Sequence, residues 1–332
     1  MEHIKNIHLK NFTCFQDLKI ENVNKINIIF GANGTGKTWL LRAIDLIVNF
    51  KHIQDINSNR DEISDFDEAL LAIIKDFDNL ISRKRISEIL NKLGFFANSE
   101  FSISDDITQK EIGARISRII RYPDHPRFYR RDRDDEYEFS SQHMMYVDGS
   151  WQNRVKMIVE ELSNSDTKEE ALREHIIKRF VPDLKTTKPH PTNGINVFLK
   201  DKPEQPLSLG LFGYGFQRSV ISYMLCMLNK DSVLGIDEFE NGLHFDKQSI
   251  FAKELIEASD KHNTQLFLTS HSDKSAILFL EEIKNAKQEH NFSAIELVKE
   301  NDVILPVVYD FDSAYRILKR GINNPNDPFK LA

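Results

Sequence analysis

Short apolar runs alternate with amphipathic segments along most of this chain. At the start, apolar residues alternate with polar ones on both sides of Asn11–Gln16, which predicts two short strands joined by a turn. The continuous apolar run Ile26–Phe30 predicts a buried strand. From Lys37 to Phe50 the apolar positions recur at helical spacing, so strand, loop and helix follow one another early in the chain.

The second half of the chain continues this alternation. The predicted elements, in order, are strand 144–147, helices 151–162 and 169–180, strand 195–199, helix Arg218–Leu228, strand Val233–Ile236, helix 246–259, strand Gln265–Thr269, helix 274–287, and strands 295–298 and 303–308. Strands that alternate with helices are typical of a mostly parallel sheet covered by helices. The expected fold class is therefore α/β.

The middle of the chain follows a different pattern. Amphipathic helices are expected at Glu68–Leu93 and Thr108–Arg121, with no sustained heptad repeat that would indicate a long coiled coil. We interpret residues 51–145 as a helical insertion. Residues 1–50 and 146–332 are then the two parts of one core.

Composition narrows the class of protein. With 332 residues, 40% apolar and 29% charged, the chain fits a globular enzyme with an inserted subdomain or two domains. The formal net charge of −7 means that any contact with nucleic acid needs a local basic patch. Two distant cysteines, Cys14 and Cys226, and no long uncharged apolar stretch favour a protein of the reducing cytoplasm without a membrane span.

The clearest chemical signal is the loop Gly31–Thr38, which matches G-x-x-x-x-G-K-S/T in full. Glycines let the backbone turn sharply and bring its N–H groups to phosphate oxygens, and the helix that follows adds its positive dipole end. Lys37 is expected to reach the β- and γ-phosphates and Thr38 to ligate Mg²⁺. The loop therefore predicts ATP with Mg²⁺. The predicted phosphate contacts come from Gly31, Asn33, Gly34, Thr35, Gly36, Lys37 and Thr38.

A second candidate element ends the apolar strand Val233–Ile236. Asp237 follows at the carboxyl edge, where parallel sheets bind ligands, and is expected to hold Mg²⁺. Glu238 is then placed to orient or deprotonate an attacking water. His271 comes just past the next predicted strand, one strand–helix unit later, which predicts a position beside the γ-phosphate.

These motifs in this order resemble the ABC ATPase superfamily, and most closely its branch with SMC heads, RecF and the OLD-like ATPases. The resemblance covers about residues 1–50 and 145–310. It implies a P-loop NTPase fold with a mostly parallel sheet and an antiparallel N-terminal part. By the same resemblance Gly31–Thr38 is Walker A, Asp237 is Walker B, Glu238 is the catalytic carboxylate, Asn241–His244 is the D-loop and His271 is the switch histidine.

The resemblance also implies a signature turn before Walker B, which in this superfamily closes over ATP held by another subunit. Two stretches compete for it, Leu207–Gly210 and Gly213–Arg218, and the second is favoured because a predicted helix follows it. Gly213, Gly215 and Gln217 are then expected to contact nucleotide. Gln142 is an unsupported choice for the Q-loop. One Walker A and one signature predict a homodimer or a pairing with a similar head.

The implied role is a stand-alone ATPase of the kind found in bacterial antiphage systems, which controls a separate effector such as a nuclease or toxin. Two alternatives stay open: a DNA repair or recombination ATPase with DNA across the dimer, and a slowly hydrolysing scaffold. Seven arginines between Arg115 and Arg133 offer a possible nucleic-acid contact. Acidic residues interleave with them, so a solvated, salt-bridged face explains them as well.

Overall fold

The structure is a computed structural model and describes residues 3–45, 100–103, 144–147, 170, 172–190, 194–228 and 230–323. The strands within these ranges are β1 Ile7–Phe12, β2 Phe15–Ile20, β3 Ile26–Phe30, β4 Glu100–Ile103, β5 Met144–Val147, β6 Leu184–His190, β7 Gly194–Leu199, β8 Leu207–Ser208, β9 Val233–Ile236, β10 Gln265–Thr269, β11 Phe292–Glu300 and β12 Val303–Tyr309. The helices are α1 37–45, α2 (the π-helical turn Arg173–Ile177 followed by Lys178–Phe180), α3 Tyr214–Leu228, α4 Phe245–His262, α5 Asp273–Asn285 and α6 Phe311–Asn323. Short 3₁₀ turns lie at Leu209–Leu211 and Glu289–Asn291.

A six-stranded sheet forms the centre, in the order β12-β11-β3-β10-β9-β5. All neighbours are parallel except β12, which runs antiparallel to β11. Strands β3, β9 and β10 are buried at every residue. Continuous apolar runs suit such strands because both faces of the sheet are covered. The predicted mostly parallel sheet is confirmed.

The two faces of the sheet belong to two separate apolar cores. Ile28 and Leu268 point into a core built with α2 to α6. Their neighbours Ile29 and Phe267 point into a core shared with β1, β2 and α1. Alternation along each strand thus divides one run of apolar residues between two layers. The central strands are consequently fixed in register from both sides.

Two small antiparallel sheets complete the described part. The first has the order β2-β1-β4 and supplies the predicted antiparallel N-terminal part. The second has the order β6-β7-β8 and leads directly into the 3₁₀ turn Leu209–Leu211 before α3. Strand β6 was not predicted, because its sequence between Leu184 and His190 is mostly polar and carries a proline.

Several predicted boundaries shift in the structure. Helix α3 begins at Tyr214 rather than Arg218, so Gly215 lies inside the helix. Helix α4 extends to His262 and ends where Asn263 takes a left-handed backbone conformation with φ of 53°. Helix α6 begins at Phe311, directly after Asp310. Asp310 Oδ1 accepts a hydrogen bond from the Ser313 N–H at 2.9 Å.

Much of the predicted middle region lies outside the described residues. This applies to the expected helices at Glu68–Leu93, Thr108–Arg121 and 151–162, to the arginine-rich stretch and to Gln142. Within 51–145, strand β4 joins the N-terminal sheet. The boundaries of the insertion stay predictions. Among the helices that the structure does describe, none is long and apolar enough to cross a membrane.

A buried carboxylate, Glu254, connects α4 to α2. Its Oε2 lies 3.2 Å from His175 Nδ1 and its Oε1 lies 2.8 Å from Arg179 Nε, both on α2. Burial raises the pKa of Glu254 above its ordinary value, and the Arg179 guanidinium offsets only part of that rise. Its charge also adds to the effect of burial in raising the pKa of Tyr223 on α3. The folded state therefore favours protonation of this group.

We therefore expect the ionisation of Glu254 to lower the free energy of unfolding by an amount that depends on pH. A raised pKa in the folded state contributes stability below the unfolded value of 4.5, and this stability is lost as the pH rises through the folded pKa. Glu254→Gln mimics the protonated form. The free energy of unfolding of wild type minus that of Glu254→Gln should therefore fall as the pH rises above 4.5. Chemical denaturation at each pH measures it, with Glu281→Gln, which replaces an exposed carboxylate on α5, as the control for net charge. A difference that rises with pH contradicts the assignment.

Candidate nucleotide site

Three loops meet at one edge of the central sheet. Strands β3, β10 and β9 are parallel neighbours, so their carboxyl ends lie side by side. Gly31–Thr38 follows β3, Ser270 and His271 follow β10, and Asp237 follows β9. The structure thus brings together the loop, the carboxylates and the histidine that the sequence predicted from separate motifs.

The loop Gly31–Thr38 takes its shape from positive φ angles and from support beneath it. Gly36 has φ of +88°, and a Cβ at this position would lie 2.6 Å from Cys14 Sγ and 2.8 Å from the Phe15 ring. Only glycine fits there. Helix α1 begins immediately afterwards, with the Leu40 N–H donating to the Gly36 carbonyl at 2.9 Å. The backbone N–H groups at the start of α1 therefore face the same space as the loop.

Lys37 is 4% exposed and lies folded over this loop. Its ammonium donates to the carbonyl oxygens of Gly31 at 2.8 Å and Ala32 at 2.9 Å. Burial lowers the pKa of Lys37, and the charges of Asp237, Glu238 and Glu240 oppose that shift. Asn33 and Gly34 are exposed at the tip of the loop. A cation held at the centre of a glycine-rich loop suits a polyphosphate.

Thr38 and Asp237 face each other across the site. The Thr38 hydroxyl lies 3.2 Å from Asp237 Oδ1 and 3.0 Å from Asp237 Oδ2. The Thr269 hydroxyl, at the end of β10, donates to Asp237 Oδ1 at 2.6 Å and accepts from the Glu238 N–H at 2.7 Å. A hydroxyl and a carboxylate are the oxygen donors that Mg²⁺ prefers, so this pair fits that ion.

Glu238 and His271 form the next layer of the site. Glu238 has φ of 48°, a left-handed conformation that is uncommon outside glycine. Its Oε1 lies 3.2 Å from His271 Nε2, and its Oε2 accepts from the Asn241 side-chain amide at 3.2 Å. The carboxylate thus lies between His271, the predicted switch histidine, and Asn241 of the predicted D-loop.

Arg218 ends the predicted signature stretch Gly213–Arg218, but the sequence analysis did not predict its contacts with the site. It lies near the start of α3, is 5% exposed, and donates from Nη1 to the Glu238 carbonyl at 2.9 Å and from Nη2 to the Asp237 carbonyl. The planar guanidinium presents its donors in a rigid fork, which a lysine ammonium on a flexible stem does not reproduce. Arg218 therefore ties α3 to the backbone that carries both carboxylates.

The predicted signature residues divide into two groups. Gly213 has nothing within 4 Å of a Cβ placed on it, so it faces open space. Gly215 is packed inside its own chain, where an added Cβ would overlap the Gly242 carbonyl and lie 2.7 Å from the Leu243 nitrogen. The side-chain amide of Gln217 donates to the carbonyls of Gly210 at 3.1 Å and Phe212 at 2.6 Å. Gly215 and Gln217 thus shape the turn that presents Gly213.

Comparison with known proteins agrees with this geometry. The family described as "AAA domain, putative AbiEii toxin, Type IV TA system" matches residues 26–276, which is more than half of the chain. The chain belongs to this AAA family. It is a P-loop ATPase. The matched range contains the loop Gly31–Thr38 and also Gly213, Asp237 and His271, the residues predicted for the signature turn, Walker B and the switch histidine.

Two individual proteins resemble this ATPase over nearly its whole length. An "ATP/GTP phosphatase" of Helicobacter pylori is 22% identical, with 92% of this chain and 95% of that protein covered. The crystal structure of an SMC head bound to the C-winged helix domain of ScpA matches with a TM-score of 0.50 and 14% identity, covering 94% of this chain and 100% of that one. The second likeness shows that the ATPase has the fold of an SMC head.

Arg218 provides a test of this arrangement. Arg218→Lys keeps the charge but loses the rigid fork of donors that fits both carbonyls, so we expect the free energy of unfolding to fall by about 1–3 kcal/mol. We also expect kcat for ATP to fall at least about tenfold, because the backbone of Glu238 is no longer held. Chemical denaturation and steady-state kinetics measure the two effects. Arg316→Lys, on the exposed face of α6, is the matched control. An Arg218→Lys protein with the unfolding free energy and the kcat of wild type would contradict this role of Arg218.

Proposed function

We propose that this ATPase hydrolyses Mg-ATP between two copies of itself and, through closure and opening of that dimer, controls a partner protein. The supporting observation is the convergence of Lys37, Thr38, Asp237, Glu238 and His271 at one sheet edge, beside an open signature turn. The Helicobacter pylori relative is named for ATP and GTP phosphatase activity, which supports hydrolysis here.

Nucleotide binding is assigned to the loop after β3. The backbone N–H groups of Gly31–Thr38 and the α1 N-terminus bind phosphate oxygens, and Lys37 exchanges its carbonyl partners for the β- and γ-phosphates. Thr38 and Asp237 are assigned to the metal. When bound, Mg²⁺ supplies positive charge against the phosphates as charge develops during transfer.

Glu238 and His271 are assigned to the hydrolytic step. Glu238 is placed to orient and deprotonate water, because its carboxylate is fixed by two side chains and lies just past the Mg²⁺ ligand Asp237. His271 Nε2 lies 3.2 Å from Glu238 Oε1, and this contact holds the carboxylate in position for the γ-phosphate. Glu238 keeps a strained, left-handed backbone conformation at the position that we assign to catalysis.

Dimerisation is supported by an apolar surface around the signature turn. Within the described ranges, Leu211 is 75% exposed, Tyr214 is 41% exposed and Phe245 is 50% exposed. Leu211 and Tyr214 flank Gly213, and Phe245 begins the helix after the D-loop. Large apolar side chains grouped on a surface mark an interaction site. The second copy is the proposed occupant, because the space beside Gly213 is open among the described residues and can take a phosphate held by another subunit's loop.

Control of a partner protein is supported by the two likenesses. The matched family is described by a toxin and a type IV toxin–antitoxin system, and the SMC head structure holds a domain of ScpA. We therefore propose that the effector is a separate polypeptide such as a nuclease or toxin, and that the setting is antiphage defence in the cytoplasm.

Binding is tested first. ATP with Mg²⁺ at about 100 times its Kd should stabilise the wild type by roughly 2.7 kcal/mol and raise its melting temperature. Lys37→Ala should lose most of that gain, because the ammonium inside the loop is removed. Differential scanning fluorimetry measures both proteins, with ATP plus EDTA as the metal-free arm. A wild-type melting curve that millimolar Mg-ATP leaves unchanged overturns the proposal.

Hydrolysis and dimerisation are tested together. Glu238→Gln keeps the bonds to His271 and Asn241 within reach but removes the base, so kcat should fall about 10²- to 10⁴-fold. Binding should survive, and the variant should accumulate as an ATP-dependent dimer in size-exclusion chromatography with light scattering. Where the wild type is already a dimer without nucleotide, the variant should instead retain bound nucleotide far longer. Hydrolysis at the wild-type rate would falsify the role of Glu238.

The signature turn needs a carefully chosen second variant. Gly213→Asp should abolish the ATP-dependent dimer of Glu238→Gln, because the position is open and a carboxylate there repels a phosphate. Gly215→Asp is unsuitable, since it overlaps Gly242 within the same chain and disturbs the monomer. A dimer that forms normally with Gly213→Asp removes this turn from the interface.

Stimulation of hydrolysis by DNA would favour the DNA repair alternative over effector control.

A further inference from the structure

Glu240 connects the segment that follows β9 to the loop that follows β10. It lies two residues after Glu238, and its Oε1 accepts hydrogen bonds from the Ser270 hydroxyl at 3.0 Å and from the His271 backbone N–H at 2.8 Å. Its Oε2 is buried and has no hydrogen-bond partner in the part of the chain that the structure describes. One carboxylate oxygen thus holds two consecutive residues of the loop after β10.

The position of the His271 backbone decides where its imidazole lies. The ring reaches Glu238 Oε1 at 3.2 Å, and 38% of the side chain is exposed, so packing alone restrains it little. Ser270, by contrast, is 2% exposed and its hydroxyl also accepts from the Ser272 N–H at 3.0 Å. The hydrogen bond that the His271 N–H donates to Glu240 Oε1 therefore restrains the backbone from which the ring extends.

The charge of Glu240 belongs to the site as well. It is one of three carboxylates, with Asp237 and Glu238, that act to raise the pKa of the buried Lys37. A third carboxylate near two others is destabilised by charge repulsion unless hydrogen bonds offset that repulsion. Glu240 accepts two charge-assisted hydrogen bonds from the loop after β10, and these offset it.

We propose that Glu240 is a positioning residue for ATP hydrolysis, which holds the His271 backbone so that the imidazole stays against Glu238. The proposal rests on the roles of Glu238 and His271 in the proposed function. It assigns Glu240 no contact with nucleotide. The residue acts through His271, and its loss should slow turnover without weakening nucleotide binding.

The first experiment compares two substitutions at this position. Glu240→Ala removes both hydrogen bonds, so kcat should fall about ten- to a hundredfold while KM for ATP stays within about twofold. Glu240→Gln offers an amide oxygen to the same two donors and should stay within about threefold of the wild-type kcat. Glu282→Ala, which removes a carboxylate that bonds Ser249 between α4 and α5, is the control. Wild-type turnover in Glu240→Ala, or equal loss in both Glu240 variants, overturns the proposal.

The second experiment asks whether Glu240 acts through His271. If it does, Glu240→Ala with His271→Ala should be no slower than His271→Ala alone, because the ring to be positioned is already missing. A further drop of about tenfold in the double variant overturns the proposal. If His271→Ala itself keeps the wild-type kcat, the role of His271 in the proposed function is wrong. This outcome is distinct from a failure of the proposal for Glu240.

A third variant covers the case in which Glu240→Ala does not fold. Ser270→Ala removes one of the two donors to Glu240 Oε1 and leaves the bond from His271 intact. Its kcat should fall less than that of Glu240→Ala and its KM for ATP should be unchanged. The melting temperature of each variant, measured with and without Mg-ATP, shows which proteins are folded and bind nucleotide. A Ser270→Ala protein slower than His271→Ala contradicts the proposal.

Discussion

The hydroxyl of Thr269 is the contact on which the rest of the site depends. It donates to Asp237 Oδ1 at 2.6 Å and accepts from the Glu238 N–H at 2.7 Å, so one oxygen fixes a carboxylate and the backbone beside it. Thr269 ends β10, which lies between the strands that carry the loop and the carboxylates. Its position is set by the two apolar cores on either side of the sheet. The chemistry at the edge is therefore held by the burial of strands rather than by the loops themselves.

The site brings three carboxylates together with two buried cations. Asp237, Glu238 and Glu240 act on Lys37, whose pKa burial lowers, and Arg218 bonds the carbonyls of Asp237 and Glu238. Such an arrangement is costly by itself, and a divalent cation beside Thr38 and Asp237 would relieve it. The geometry is thus suited to a metal–phosphate ligand more than to phosphate without metal.

Much of this arrangement could be predicted because its signals are local. The bounds of Ile26–Phe30, Val233–Ile236 and Gln265–Thr269 agree with the prediction, since each is a short, mostly apolar run followed by glycine or polar residues. The residues that the sequence did not reveal act over long separations. Arg218 resembles any solvated arginine near a helix start, and only folding brings it to the carbonyls of Asp237 and Glu238. Glu240 likewise looks like a surface acid until β10 places His271 beside it.

The contact between Gly215 and Gly242 has a consequence for how this sequence can diverge. Each glycine occupies the space that a side chain on the other would need: a Cβ on Gly242 would lie 2.9 Å from the Gly215 nitrogen, and one on Gly215 would overlap the Gly242 carbonyl. A compensating exchange is not available, because the obstacle in both directions is backbone. The two positions, far apart along the chain, therefore form a single inherited unit. Homologues that keep this turn should carry glycine at both sites, and those that have lost one should have lost the turn.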